Sequence, residues 1–215
     1  MAQDLNVPKA EAGKHVDAVR YDREFVRLVF RDIASDTNER TLIFGLLPKN
    51  CGGGNTIHIS IPKYYVRGVD GGVTTQVVSP LRLLFALAWF NSLPVDWMAR
   101  FMIQIHANKT YLYRLPMPQP TDEEIHNNPD YAQLAKNALL LSLVASWDDF
   151  SELAPLFDVH PNDLPTTAKA QDILRAQNDK LVAKLYSITD AELAHLLRSF
   201  KGMASKRPEY LTLLR

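Results

Sequence analysis

The stretch Arg31-Asp32-Ile33-Ala34-Ser35-Asp36-Thr37-Asn38-Glu39-Arg40-Thr41-Leu42-Ile43 decides how the first half of the chain is read. It is polar and charged, and it lies between two apolar runs, Phe25-Val26-Arg27-Leu28-Val29-Phe30 and Thr41-Leu42-Ile43-Phe44-Gly45-Leu46-Leu47-Pro48. Both runs are rich in β-branched and aromatic residues and have strand length, so the pattern predicts a hairpin. Asp36, Thr37 and Asn38 are expected to fold their side chains back onto the local backbone. Arg31 and Arg40 carry planar forks that suit phosphate or guanine edges. Read locally, the segment is a charged turn facing solvent.

A chain of 215 residues builds one sizeable domain or two small ones. The apolar fraction of 47% and charged fraction of 22% are those of an ordinary globular protein. Lys plus Arg equals Asp plus Glu, at 24 each, whereas a free-standing non-specific nucleic-acid binder is usually basic. Any contact with nucleic acid is therefore expected through a local patch, or as part of something larger. The single cysteine, Cys51, excludes an intrachain disulfide and a Cys-based zinc knuckle, and it suits a reducing compartment. Met1 to Gly13 lacks the apolar core of a signal peptide, and the apolar run Leu83 to Phe90 is too short to span a bilayer. A cytoplasmic chain with no membrane partner is expected.

Working outward, residues 1–20 read as a loose lead-in. Residues 49–56, with Gly52-Gly53-Gly54, lack the Lys-Ser/Thr ending of a phosphate loop and read as a mobile connector. Ile57, Ile59 and Ile61 alternate as one face of a half-buried strand, which puts His58 on the opposite, surface side. In 62–79, basic and aromatic residues interleave, with Lys63, Tyr64, Tyr65 and Arg67 before Gly71-Gly72. That mixture suits contact with nucleic acid, and it equally suits an edge strand ending in a glycine turn. Ser79-Pro80 starts a helix apolar nearly all round, hence buried. A second helix is expected from Val95 to Ile105, with Trp97, Phe101 and Ile105 on one stripe and Asp96 and Arg100 pairing on the exposed side. Tyr111 to Pro118 reads as a strand with Tyr111 and Tyr113 on one face, flanked by Lys109 and Arg114. Prolines in 116–120 mark a border. Beyond it, Thr121-Asp122-Glu123-Glu124, Asn128-Pro129 and Thr189-Asp190-Ala191-Glu192 are helix starts, and Ala168 to Tyr186 is an amphipathic helix. The basic tail from Lys201 is expected to dock by Tyr210, Leu211 and Leu214. The fold class is α+β: a small, mainly antiparallel sheet with buried helices, then a helical C-terminal part. The expected division is a lead-in (1–20), an α/β part (21–120) and a helical part (121–215).

No autonomous active site is legible. There is no Walker loop, no Gly-x-Ser-x-Gly elbow, no His-Glu-x-x-His, no dinucleotide fingerprint and no nuclease Pro-Asp followed by Glu-x-Lys. Asn128-Pro129-Asp130-Tyr131 differs from the Asn-Pro-Pro-Tyr of adenine-N6 methyltransferases, since no apolar strand precedes it; it reads as a cap. No metal ligand set is seen.

Four stretches, in order, carry a resemblance: Arg31 to Ala34 with Thr37 to Ile43 and Leu47-Pro48; Leu87-Ala88-Trp89-Phe90-Asn91-Ser92 with Asp96 and Arg100-Phe101; His106-Ala107-Asn108-Lys109 leading to Tyr113-Arg114-Leu115-Pro116-Met117-Pro118; and Asp179 to Thr189 with Glu192 and Phe200. Together they resemble the C-terminal target-recognition (specificity) region of type IIG restriction–modification enzymes. Those are long chains joining a nuclease, an adenine-specific DNA methyltransferase and that region. Ser187 stands where the family often has Gly. The catalytic parts have no counterpart in this sequence, which reads as an excised domain, a remnant or a separate specificity part.

The resemblance implies a non-catalytic DNA-recognition module serving methylation and restriction in host defence. Its partners would be double-stranded DNA and a methyltransferase/nuclease domain or subunit. S-adenosylmethionine and Mg would belong only to the missing catalytic parts, with no cofactor in this chain. Implied DNA-contacting residues are Arg31, Asn38, Arg40, Lys63, Tyr65, Arg67, Lys109, Tyr111, Tyr113 and Arg114. Enzymes of this family read different sequences, so a shared stretch such as Thr37 to Thr41 cannot carry the discrimination. Arg31, Asn38 and Arg40 then anchor the scaffold or hold phosphate, and base choice lies in 49–56 and 62–79. The alternative is an adaptor or relic that binds a methyltransferase subunit without reading DNA.

Overall fold

The computed structural model describes residues 1–35 and 38–214. Asp36 and Thr37, two of the three residues expected to fold back in the turn, lie outside the described residues. The lead-in (1–20) is not loose: it forms α1 (Ala2–Leu5), α2 (Lys9–Ala12) and a 3₁₀ turn over 13–18, and a further 3₁₀ turn covers 22–24.

The expected hairpin is present as β1 (Arg27–Arg31) and β2 (Phe44–Leu47), antiparallel with Phe30 opposite Phe44. Strand β3 (Ile57–Ile59) pairs with the other edge of β1, giving the order β2-β1-β3. Its register sets His58 opposite Phe30, so His58, not the isoleucines, takes the aromatic side. The His58 and Phe30 rings stack at 4.7 Å, while Ile57 and Ile61 are 41% and 72% exposed. The column continues inward, Phe30 to Phe44 at 5.1 Å and Phe44 to Phe90 at 4.5 Å. Strands β4 (Lys63–Arg67) and β5 (Val73–Val77) make a separate two-stranded ribbon. Its turn is closed by Gly68 N donating to Gly72 O at 2.7 Å, and Gly71 takes φ 79°, a conformation that favours glycine.

Helix α3 (Pro80–Phe90) starts as read, with Ser79 Oγ accepting from Leu81 N, and nine of its eleven residues are buried. Helix α4 (Leu93–Arg100) stops five residues short of the expected end. The chain instead pairs with the segment after β1: Ala34 N donates to Ile105 O (2.8 Å) and Ala107 N to Asp32 O (2.7 Å). Phe101 and Ile105, expected on a buried stripe, are therefore exposed. The strand expected at Tyr111 is also replaced, by the short α5 (Lys109–Leu112), because the Asn108 side chain accepts from Thr110 N and Tyr111 N and caps a helical turn.

Past the prolines, α6 (Asp122–Asn127) opens with the Thr121–Glu124 capping box and α7 (Pro129–Ala145) with Asn128 as N-cap. They are followed by α8 (Trp147–Phe150), α9 (Ala168–Leu185), α10 (Asp190–Leu197), α11 (Lys201–Lys206) and α12 (Pro208–Thr212). The fold is α+β. One apolar core crosses the expected border near residue 120, since Leu84 and Phe85 of α3 are sealed together with Leu134 and Leu139 of α7. Each such large side chain contributes about 1.5–3 kcal/mol relative to exposure. A second cluster joins Leu93 to Leu193, Leu196, Phe200, Met203 and Tyr210, so the tail docks by Tyr210, Leu211 and Leu214 as expected. No helix among the described residues is long and apolar enough to cross a membrane.

The free edge of β2 is closed by a side chain. Asn91 Oδ1 accepts from Phe44 N at 2.9 Å, and Asn91 Nδ2 donates to Phe44 O at 3.0 Å. Asn91→Ala strands both backbone groups. It is expected to destabilise the protein by about 1–3 kcal/mol, read as a lower urea midpoint with faster hydrogen exchange at the Phe44 amide.

Candidate nucleic-acid interface

The ten residues implied by the resemblance fall into three settings. Arg31, Asn38 and Arg40 belong to the interior or its edge. Arg40 is turned inward, its side chain 16% exposed, with Nη2 3.9 Å from the Asp179 carboxylate on α9. Arg31 Nη2 donates to Arg40 O at 3.3 Å. Asn38 is exposed, but its carbonyl and that of Glu39 both accept from Arg100 Nη2 at 2.9 Å. Residues 38–40 of the turn expected to face solvent are thus clamped onto α4 and α9. The fork at Arg40 is committed to an interior carboxylate and is not presented to a phosphate.

Two carboxylates organise this region. Asp96, fully buried, accepts from Thr41 N at 3.1 Å and Leu42 N at 3.4 Å, with Arg100 Nε 3.6 Å away. The Asp96–Arg100 pair expected on the exposed side is therefore interior, and the Arg100 guanidinium lies over the Phe200 ring at 4.1 Å. Asp179, also fully buried, accepts from Leu93 N at 2.7 Å and from the Tyr210 hydroxyl. Burial pushes both carboxyls above their ordinary range, against the pull of Arg40. Burial acts to lower the Arg40 pKa as well, but the facing Asp179, Tyr210 and Asp96 hold it above the usual value. At the rim, Arg207 pairs with Glu39 (3.2 Å) and with Asp172. Arginines and carboxylates here pair with one another, so the cluster ties the turn to α4, α9 and the tail.

Lys63, Tyr65 and Arg67 form the second setting. Alternation along β4 puts all three on one face, and that face lies against the lead-in. Lys63 pairs with Asp22, Arg67 with Glu11, and the buried Tyr65 hydroxyl reaches Arg20 O at 3.5 Å, while Thr75 Oγ1 donates to Ala18 O. The two cations expected to meet phosphate pair with Asp22 and, in the lead-in, with Glu11. The outward face carries two cross-strand pairs instead, Tyr64 opposite Gln76 and Val66 opposite Thr74, all exposed. The sequence showed only that basic and aromatic residues interleave here; nothing local to 62–79 says which face turns inward.

Lys109, Tyr111, Tyr113 and Arg114 form the third setting, beside a groove of about 900 Å³ between the sheet and 108–119. Phe30, Phe44 and His58 line its sheet side, with Lys109 and Tyr113 on the other. Tyr111 is half-buried against the core and Tyr113 is 83% exposed, so they do not share a strand face. Lys109 and Arg114 are exposed with no ion-pair partner among the described residues. A feature the sequence did not reveal lies nearby: Asp32 Oδ1 is 3.1 Å from His58 Nε2, and Asp32 Oδ2 is 2.9 Å from His106 Nδ1. Hydrogen bonding from His106 and then His58 holds the Asp32 carboxyl below its ordinary range. No group of three or more ligating side chains suited to a metal ion occurs among the described residues.

Asp179→Ala removes the acceptor for Leu93 N and Tyr210 and leaves Arg40 uncompensated. A loss of about 3–5 kcal/mol is expected, with Asp179→Asn costing less, both read by urea unfolding. For Asp32, ionisation is favoured in the fold. Its contribution is complete above the ordinary carboxyl pKa of 3.8 and is lost as pH falls through the lower folded value. A ¹³C-detected carboxyl titration should place Asp32 below 3.8, and His106→Ala should move it back up.

No protein-family model and no curated protein matches the chain. Among solved structures, the Type IIL restriction-modification enzyme MmeI in complex with DNA is similar at 16% sequence identity and a TM-score of 0.43. The similarity covers 86% of this chain and 22% of that enzyme, so the chain spans less than a quarter of the neighbour's length.

Proposed function

We propose that the chain is a non-catalytic DNA target-recognition module of a restriction–modification system, and that the outward face of the β4–β5 ribbon is its reader. One observation carries this reading. The stretches that resemble the specificity region of type IIG enzymes supply Arg40, Asp96, Arg100, Asp179 and Phe200, which cluster inside the fold. The stretch outside the resemblance, 62–79, stands out as an exposed ribbon. A scaffold common to enzymes with different targets requires that partition.

The chemistry of the ribbon suits the task. A two-stranded ribbon fits the B-DNA major groove, where Gln makes a bidentate pair with adenine and Thr or apolar side chains meet the thymine methyl. Gln76, Thr74, Val66 and Tyr64 offer those groups on one surface. Lys109 and Arg114, exposed beside the groove, are the phosphate contacts in this reading; such contacts orient without reading sequence. Lys63 and Arg67 serve indirectly, by fixing the ribbon on the lead-in.

Selection from a random duplex pool at two salt concentrations tests the proposal. A short motif is expected to be enriched. Gln76→Ala or Tyr64→Ala should relax one or two of its positions by about 1–3 kcal/mol while leaving the urea midpoint unchanged. Lys109→Ala and Arg114→Ala should weaken all sequences evenly and each reduce the salt slope by about 1. Absence of salt-dependent binding would sink the reading.

A further inference from the structure

A second concavity lies away from the ribbon. It is a cleft of about 1060 Å³ between the end of α9, helix α10 and the tail. Leu193, Leu197, Leu211 and Leu214 form its floor. Four cations, Lys180, Lys184, Arg198 and Lys201, stand around it against one lining carboxylate, Asp190. Lys184 is paired with Asp130 at 2.6 Å, but Lys180, Arg198 and Lys201 are exposed and have no ion-pair partner among the described residues. Exposed cations without an ion-pair partner also occur singly elsewhere among the described residues, as at Arg82, Lys169 and Lys206. What sets the cleft apart is that three of them stand around one concavity with leucines at its floor.

We infer that this cleft is a docking site for an acidic amphipathic helix of a partner protein. Its apolar stripe would seat on the leucine floor and its Asp or Glu flanks would meet Lys180, Arg198 and Lys201. Helix-in-groove recognition uses apolar anchors at i, i+3, i+4 and i+7, and charged flanks set orientation and exclude wrong partners. Charge complementarity decides the sign of the partner. The leucine floor decides its class, because a sugar–phosphate backbone has no apolar stripe to fill it, whereas phosphate contacts need only the cations. The inference is independent of the ribbon's proposed role.

The test uses the full chain and a twenty-residue synthetic helix with a leucine stripe flanked by Glu. The controls are the same peptide with Lys flanks and a random-sequence duplex. Binding is followed by fluorescence anisotropy and by amide shift changes in ¹⁵N spectra. The Glu peptide is expected to bind in a salt-sensitive way and to shift the amides of Lys180, Ala194, Leu197 and Lys201. Charge reversal by Lys180→Glu with Lys201→Glu should weaken it at least tenfold. Ala194→Trp, at an exposed wall position, should block it, with unchanged spectra elsewhere reporting that both variants fold. Equal binding of the Lys peptide, shifts confined to other surfaces, or no binding of the Glu peptide would overturn the inference. So would a duplex that produces the same shifts, which would assign the rim to phosphate.

Discussion

Two carboxylates in the interior hold the hairpin, the helices and the tail to one another. Asp96 receives the backbone of Thr41 and Leu42 as the chain enters β2, and Asp179 receives Leu93 at the start of α4 and the hydroxyl of Tyr210. Apolar burial supplies most of the driving force, but it is non-directional. A buried carboxylate is different: it is costly unless its lone pairs are met, so its donors must arrive from particular directions. Arg40 lies near enough to both to offset their charge, and Arg100 completes the set from one turn along α4. The apolar clusters on either side, one around Phe85 and Leu139 and one around Phe200 and Tyr210, meet across this polar seam.

What the sequence made legible was local. The cap at Ser79, the boxes at Thr121 and Thr189 and the N-cap at Asn128 all depend on neighbours within a few residues, and all are present; the β1–β2 pairing was legible from its two apolar runs. The polar seam was not legible, because Thr41 and Asp96 lie 55 residues apart and Leu93 and Asp179 lie 86 apart. An i,i+4 pair such as Asp96 and Arg100 looks the same in sequence whether it faces water or a core. The missed helix end after Arg100 has the same origin: backbone pairing of Ala34 and Asp32 with residues 105 and 107 overrides the apolar stripe. At Tyr111, local chemistry was present but misread, since Asn108 outweighs the strand preference of two tyrosines.

Charge is distributed by function within the fold. Arg40 on the turn faces Asp179 of α9, Arg100 faces Asp96 one turn back on its own helix, and the cations of β4 pair with Asp22 and Glu11. The zero net charge therefore conceals strong local pairing. Cations without an ion-pair partner among the described residues include Lys109 and Arg114 near the 108–119 groove and Lys180, Arg198 and Lys201 around the C-terminal cleft. Sequence reasoning that weighs each arginine or lysine as a potential phosphate contact overcounts here, because it cannot see which have already found a partner.

The ribbon's mode of support sets what can be transplanted. A lone two-stranded hairpin is marginally stable in water, and β4–β5 is not part of the β2-β1-β3 sheet. Its stability comes from the buried Tyr65, the pairs to Asp22 and Glu11, and the Thr75 bond to Ala18. Residues 1–24 and 62–79, far apart in the chain, thus form one cassette. Exchange between related scaffolds must move both segments, or move only the outward side chains and leave the inward row untouched. A contiguous graft of 62–79 alone would arrive with two cations and a tyrosine facing a surface not built to receive them.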